Sequence, residues 1–421
     1  MANKKSNILP IVVMYLLFFM IAFVTNLCNP MAVIVKNNFA MSNFAAQLGN
    51  AANFIAYAAM GIPAGMLLKK IGYRKTALLA ILVGFVGVFL QYMSGWAAIQ
   101  SFWVYLAGAF TAGFCMCMLN TVVNPMLNTL GGGGNKGNQL VQFGGVCNSL
   151  AAVLVTIIMG SLIADATKAQ IADATPALMI ALGVFAFAFI VLLLVKIPEP
   201  SLESEKVNVE NEKKYSAFSF RHFNLGILAI FLYMGVEVGV PTYVMQYLTT
   251  SPEAATPGLG INAGIVGMIV AVYWLLMLIG RLLGGMIGGK VSSRAQITGV
   301  SILCLVLVLL GMFLPADVMV KMPGIDWATL TVMTAQVPVG VFALILVGLC
   351  TSVMWGGIFN MAVEGLGKYT SIASGAFMTM VCGGGILIPL QGKLADVFGN
   401  FHMSYIVVLV CTAYILFYAL V

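Results

Sequence analysis

Charge is the scarcest feature of this chain. Of 421 residues only 8% are Asp, Glu, Lys or Arg, while 61% are hydrophobic. A water-soluble domain carries about a quarter charged residues, so a soluble fold of this length is excluded. Histidine is nearly missing: His222 and His402 are the only two, and both fall at expected loops. That leaves no Ser/His or His/Asp arrangement within an apolar stretch, which argues against an intramembrane enzyme. The eight cysteines (Cys28, Cys115, Cys117, Cys147, Cys304, Cys350, Cys382, Cys411) all lie in apolar stretches. Free cysteine packs as a small hydrophobe. Cys115 and Cys117 have no second ligand pair, so neither a disulfide framework nor a zinc site is expected. The run Gly131 to Gly134 is followed by no Gly-Lys-Ser/Thr, so it reads as a flexible connection and not as a phosphate cradle. No ATP-binding motif, basic tail or acidic tail is present, and nothing points to nucleic acid.

What the chain has in abundance is long apolar runs. A bilayer span needs about 20 mainly apolar residues. Twelve such spans are expected, at approximately 8–35, 45–68, 76–96, 101–127, 138–164, 176–196, 223–249, 261–288, 295–316, 335–359, 372–395 and 403–421. The first is too long for a signal-peptide core of about 7–15 residues and lacks a cleavage site, so it is read as a retained span. The one long polar stretch, 197–222, divides six spans from six. The expected organisation is a six-helix bundle over 1–196, a linker over 197–222 and a second bundle over 223–421. Placing the N-terminus in the cytoplasm puts 15 of the 20 basic residues inside. That positive-inside bias predicts both termini cytoplasmic.

The halves resemble each other. GMLLKKI (Gly65 to Ile71) after span 2 pairs with GMIGGKV (Gly285 to Val291) after span 8. NPMLNTLG (Asn124 to Gly131) pairs with NMAVEGLG (Asn360 to Gly367), and GSLIAD (Gly160 to Asp165) with GKLAD (Gly392 to Asp396). Each match is weak, but all three keep their order, as two homologous six-helix bundles would. Such halves enclose a midplane site and expose it alternately to either side.

Glu237 is the one acid expected within a span. A carboxylate there costs several kcal/mol unless it faces a cavity, carries a proton or has a partner. It could bind a proton or, with nearby oxygens, Na⁺; the plain alternative is a structural Glu. Arg281 is the one basic residue within a span. Its position differs from that of Glu237 by roughly 9 Å along the axis, so a direct pair is not expected, and snorkelling or a gate contact is the reading. The amides Asn26, Asn29, Asn120, Asn124, Gln142, Asn148 and Asn360 offer both donors and acceptors, matching a ring of sugar hydroxyls. They could equally bind helix to helix. Asn124, just before Pro125, is expected to satisfy the backbone at a kink. Tyr233, Tyr273, Trp274 and Trp355 lie deep enough to stack on a sugar or to pack against lipid.

Several stretches carry a family resemblance. GIPAGMLLKKIGYRKT (Gly61 to Thr76) is similar to the signature loop of the major facilitator superfamily, with Lys69, Lys70 and Arg74 as gating or structural cations, but without that loop's Asp. FFMIAFVTNLCNP, LNTVVNPMLNTLG, QFGGVCNSLAA, YMGVEVGV, IFNMAVEGLGKYTSIASG and GGGILIPLQGKLAD resemble the fucose/proton symporter family along nearly the whole chain. The resemblance implies an all-α membrane protein of twelve helices in two pseudo-symmetric bundles, located in the cytoplasmic (inner) membrane of a bacterium. It implies a cation-coupled sugar importer with no cofactor beyond H⁺ or Na⁺, acting as a monomer in the bilayer. The family's coupling acids in spans 1 and 4 are replaced here by Asn29 and Asn120, so Glu237 is the expected coupling group. An uncoupled facilitator, a carrier of another small polar solute, an exporter and a membrane sensor are the alternatives.

Overall fold

The computed structural model describes residues 8–39, 48–162, 170–199, 216–261, 263–326 and 331–421. Helices dominate them, and ten are long and apolar enough to cross a membrane. One of the ten, Ala51–Met93, is 43 residues long; at 1.5 Å per residue it would extend about 65 Å, twice a hydrocarbon core. It belongs to the helix Leu48–Met93, which is broken at Gly72, whose φ of 81° and ψ of 174° are not helical. A side chain there would be strained, and glycine takes this backbone freely. The break divides it into spans 2 and 3. Gly134–Leu162, some of whose side chains lie outside the described residues, supplies span 5. With these two adjustments the expected twelve spans are present.

Span 1 is Ile8–Asn38, span 4 Phe102–Leu130, span 6 Thr175–Leu194, span 7 Arg221–Thr249, span 8 Ala263–Gly288 and span 9 Ser293–Phe313. Span 10 is interrupted, as Val339–Thr351 and Met354–Val363. Span 11 has pieces Thr370–Thr379 and Gly383–Phe398 joined by a 3₁₀ turn, and span 12 ends in Ile406–Leu420. Lipid-facing positions are apolar, as at Trp103 and Leu194, which are 73% and 79% exposed.

One element departs from the all-helical expectation. Between spans 9 and 10, strand β1 (Met319–Asp326) pairs antiparallel with β2 (Thr331–Pro338), in register from Met319↔Pro338 to Asp326↔Thr331. The 335–359 span therefore begins later, at Val339, because Thr331 to Val337 is rich in β-branched residues that favour a strand. Met322 and Val337 are buried, while Lys321 is exposed.

The two most extensive contacts between the halves are span 2 against span 11 and span 5 against span 8. If span 2 corresponds to span 8 and span 5 to span 11, these are one contact made twice. Small residues allow both. A Cβ on Gly65 would lie 2.8 Å from the Ser371 carbonyl oxygen, and one on Gly285 2.9 Å from the Phe143 ring. Gly375 faces the backbone of Gly61 and Gly65 closely enough that any side chain would clash. These contacts sit at the end carrying the basic loops, which is shut. Without a Cβ the backbones approach closely, and packing holds the junction.

Gly375→Val is expected to prop this end apart. Spin labels on cysteines placed at positions 70 and 368 should report a longer distance than in the parent, with a marked loss of transport. An unchanged distance would mean that the glycine contact does not control closure.

Candidate functional site

The interior polar groups are placed by breaks in helical hydrogen bonding. A proline removes the N–H that would bond the carbonyl four residues earlier. In span 7, Pro241 leaves the Glu237 carbonyl free, and the Tyr273 hydroxyl donates to it at 3.0 Å. In span 4, Pro125 leaves the Thr121 carbonyl free, and Ser374 of the other half donates to it at 3.2 Å. The interruption of span 10 at Ser352 and Val353 works in the same way. There the Thr351 carbonyl accepts from Tyr233 at 3.3 Å, while the Val353 carbonyl, which already accepts from the Gly357 N–H at 3.1 Å, takes a second bond from Gln142 at 2.9 Å. The Thr351 hydroxyl lies 3.2 Å from that of Tyr273. Hydrocarbon offers no water to satisfy such groups, so the freed carbonyls of Thr121, Glu237 and Thr351 each recruit a side chain.

Arg281 is the hub of this network. Its guanidinium lies 3.2 Å from Glu237 Oε1, so the direct pair that axial spacing argued against is formed. The long arginine stem spans the offset along the axis. The same guanidinium donates to Ser149 Oγ at 2.8 Å, the Gly145 carbonyl at 3.2 Å and Asn148 Oδ1 at 3.3 Å, all on span 5 of the other half. Gly145 makes room, since a Cβ there would lie 3.1 Å from Arg281 Cδ. The two side chains are 10% and 13% exposed for Arg281 and Glu237. A planar fork with five donors can serve a carboxylate and a second helix at once. The arginine therefore joins the only carboxylate in this interior cluster to the opposite half.

A second cluster is uncharged. Asn120 donates to the Tyr57 hydroxyl at 2.9 Å, Asn124 donates to the Asn120 carbonyl at 2.9 Å, and the Trp355 indole donates to Asn124 Oδ1 at 3.2 Å. Trp355 is also 6.1 Å from the Tyr233 ring, which connects this cluster to the helical turn bearing Glu237. Trp274 packs edge-on to Tyr273 with centroids 5.3 Å apart.

The expected amide set thus separates. Asn148 and Tyr273 join Glu237 and Arg281, with Tyr233 one turn from the carboxylate; Asn120 and Trp355 form the adjacent amide cluster. Gln142 is engaged across the halves with the Val353 carbonyl. Asn360 is far along span 10, accepting from Asn128 at 2.5 Å and donating to Ser293 at 2.9 Å, at the shut end. Asn26 donates to its own helix at Ala22. Asn29 is within span 1, but its side chain lies outside the described residues. Lys69 and Lys70 are exposed at the loop end. Arg74 donates to the Leu192 and Leu193 carbonyls at the end of span 6, at 3.0 and 2.6 Å. Glu199 in turn accepts from the Tyr73 and Arg74 N–H groups, at 2.6 and 3.0 Å. The carboxylate missing from the loop between spans 2 and 3 is supplied to its backbone from the end of span 6.

Sequence reasoning missed Tyr57, Ser149, Thr351, Asn128, Ser293, Ser374 and Glu199. For Thr351 the signal was Thr-Ser within an apolar run, and for Ser374 it was Pro125 four residues after the carbonyl it meets. Tyr57 and Glu199 left no comparable mark.

Two mutational outcomes follow from this geometry. Arg281→Met strands a buried carboxylate and should destabilise the protein by about 3 kcal/mol or more. The double variant Glu237→Gln/Arg281→Met should recover part of that loss in thermal unfolding; additive losses would mean the pair is not coupled. Tyr273→Phe should cost about 1 kcal/mol, and markedly less on a Pro241→Ala background, where the backbone N–H of residue 241 takes the Glu237 carbonyl.

Comparison with known proteins places this arrangement in a family. The chain is 26% identical over 425 residues to the glucose/galactose transporter of Brucella abortus biovar 1, covering 100% of this chain and 95% of the relative. It is 29% identical over 432 residues to a putative glucose/galactose transporter of Helicobacter pylori strain J99, covering 99% and 98%. To the L-fucose-proton symporter of Escherichia coli K12 the identity is 23% over 443 residues, covering 99% and 94%. The fold is similar to the crystal structure of FucP in the outward conformation, with a TM-score of 0.79 at 22% identity over 98% of both chains. Residues 14–389 match the model of the Major Facilitator Superfamily, and this multi-pass membrane chain belongs to that superfamily of transporters.

Proposed function

We propose that the protein imports a sugar of the hexose type by cation-coupled alternating access, with Glu237 as the coupling group and Arg281 as its partner. The observation that carries this reading is the bond set of Arg281, which holds the Glu237 carboxylate in one half and Asn148, Ser149 and the Gly145 carbonyl in the other. The polar interior is rich in amides and phenols, which suit sugar hydroxyls. Relatives named as glucose/galactose transporters and L-fucose-proton symporters support the same substrate class.

The mechanism follows from electrostatics. While Glu237 is ionised, the attraction between the two charges opposes separation of spans 7 and 8, and Arg281 ties both to span 5. Neutralising the carboxylate, by a proton or by Na⁺ held on its oxygens, weakens its hold on the guanidinium. Arg281 then redistributes between the halves, and the relative stability of the two access states shifts by the difference in its contacts. Sugar bound against Asn120, Trp355, Tyr233 and Asn148 would be enclosed as the halves rock. Gln142 and Asn360 serve closure at the basic end. This reading places both termini in the cytoplasm, with the basic loops.

A second reading is favoured by one feature: Arg281 already neutralises Glu237, and Asn120 occupies the position of a family carboxylate. In that case the pair serves only structure and substrate binding, and transport is downhill. Reconstituted vesicles loaded against a panel of labelled hexoses, under separate pH and Na⁺ gradients, decide between the two. Concentrative uptake is expected, lost in Glu237→Gln while counterflow persists. Undiminished accumulation in that variant would remove Glu237 from coupling, and uptake of no sugar on the panel would remove the substrate class.

A further inference from the structure

A cavity of about 740 Å³ opens at the basic end, away from Glu237. Its walls come from both halves: Asn135 at the start of span 5, Arg221 and His222 at the start of span 7, Arg294 at the start of span 9, Glu364 after span 10, and Tyr418 in span 12. We propose that this cavity binds a phosphate-bearing polyol, whose occupancy holds the basic end shut and slows transport.

Charge and orientation indicate the anionic part. Arg221 and Arg294 are exposed at the walls, against Glu364 as the single acidic side chain of the lining. Three helices begin at this cavity, at Gly134, Arg221 and Ser293. Their first N–H groups have no intrahelical acceptor; one of them, that of Ala295, is capped by Ser292 at 3.3 Å. Helix N-termini and arginine forks together favour phosphate over a neutral group.

The remaining lining indicates the polyol part. Tyr418 is 5% exposed, and its hydroxyl has no hydrogen-bond partner among the described residues. The His222 Nε2 atom is likewise buried without a partner. Buried polar groups are usually bonded, so two such atoms on residues that line one cavity call for an explanation. Hydroxyls of a ligand would satisfy both, and Asn135 and Glu364 could bond further hydroxyls. A bare inorganic anion would leave these groups unmet. The volume is within the range of small-molecule sites, about 300–1,000 Å³.

The link to transport is geometric. Gly134 and Asn135 belong to the first half and the other walls to the second, and Asn128 bonds Asn360 across the same junction. Opening this end must separate Asn135 from the arginines. A ligand touching both sides binds the shut state better, and so stabilises it by that difference. A soluble sugar phosphate and the headgroup of an anionic phospholipid share this chemistry.

The test uses the full chain in phosphatidylcholine nanodiscs, with thermal unfolding as readout. Glucose 6-phosphate should raise the melting temperature saturably, and inorganic phosphate should do so more weakly. The double variant Arg221→Gln/Arg294→Gln, which alters only exposed side chains, should fold normally and weaken the apparent affinity about tenfold or more. Tyr418→Phe should weaken it about threefold. Should the lipid be the source, nanodiscs containing phosphatidylglycerol reproduce the stabilisation without sugar phosphate, and the double variant removes it. No stabilisation from either source, or equal stabilisation in the parent and the double variant, overturns the proposal. Because binding is read without transport, a failed sugar assignment would leave this result unaffected.

Discussion

The contact between Arg281 and Glu237 constrains the rest of the molecule. A carboxylate and a guanidinium in a low-dielectric interior are each costly alone, so the helices carrying them are held within reach of each other. Arg281 also bonds three groups of span 5, so the pair is not confined to one half. Any movement of the halves must break or exchange bonds of this one side chain. The residues that pack around it, Gly145 with its missing Cβ and Tyr273 on the Glu237 carbonyl, follow from that requirement.

Closure at the basic end rests on a different kind of interaction. There the halves meet through glycines and uncharged amides: Gly61 and Gly65 against Gly375, Gly285 against Phe143, Gln142 on the Val353 carbonyl, and Asn128 on Asn360. Neutral contacts of this type are individually weak, and several can be exchanged for others as the end opens. The charged residues of the loop between spans 2 and 3 instead bind within their own half, Arg74 to the end of span 6 and Glu199 to the loop backbone. At this end the strong bonds thus lie within each half, and the weak ones lie between them. A rocking motion needs that division.

Twelve spans, the duplication and Glu237 were legible along the chain because each is a one-dimensional signal: an apolar length, an ordered repeat, a lone acid. The amides were legible as a class but not as a site. Gln142 and Asn360 have the same chemistry as Asn120 and Asn148, and only their neighbours separate a junction contact from an interior cluster. The β1–β2 hairpin was missed because a run of Val, Thr and Met is as apolar as a span, and its β-branched content was outweighed by length. Arg281 was misjudged because axial spacing between two helices says nothing about how far a flexible side chain reaches.

By itself the sequence determined that the protein lies in a membrane, that it is built from two related halves and that its interior carries few charges. Hydrocarbon imposes those features residue by residue, through apolar length and the cost of an isolated charge. The tertiary structure decided which polar groups meet. Prolines in spans 4 and 7 and the break in span 10 free particular carbonyls, but the chain does not say which side chain will claim them. Tyr273, Ser374 and Tyr233 do so because packing brings them there. The pairing of Arg281 with both Glu237 and span 5 has the same origin: it depends on three helices converging, and convergence is a property of the packed bundle.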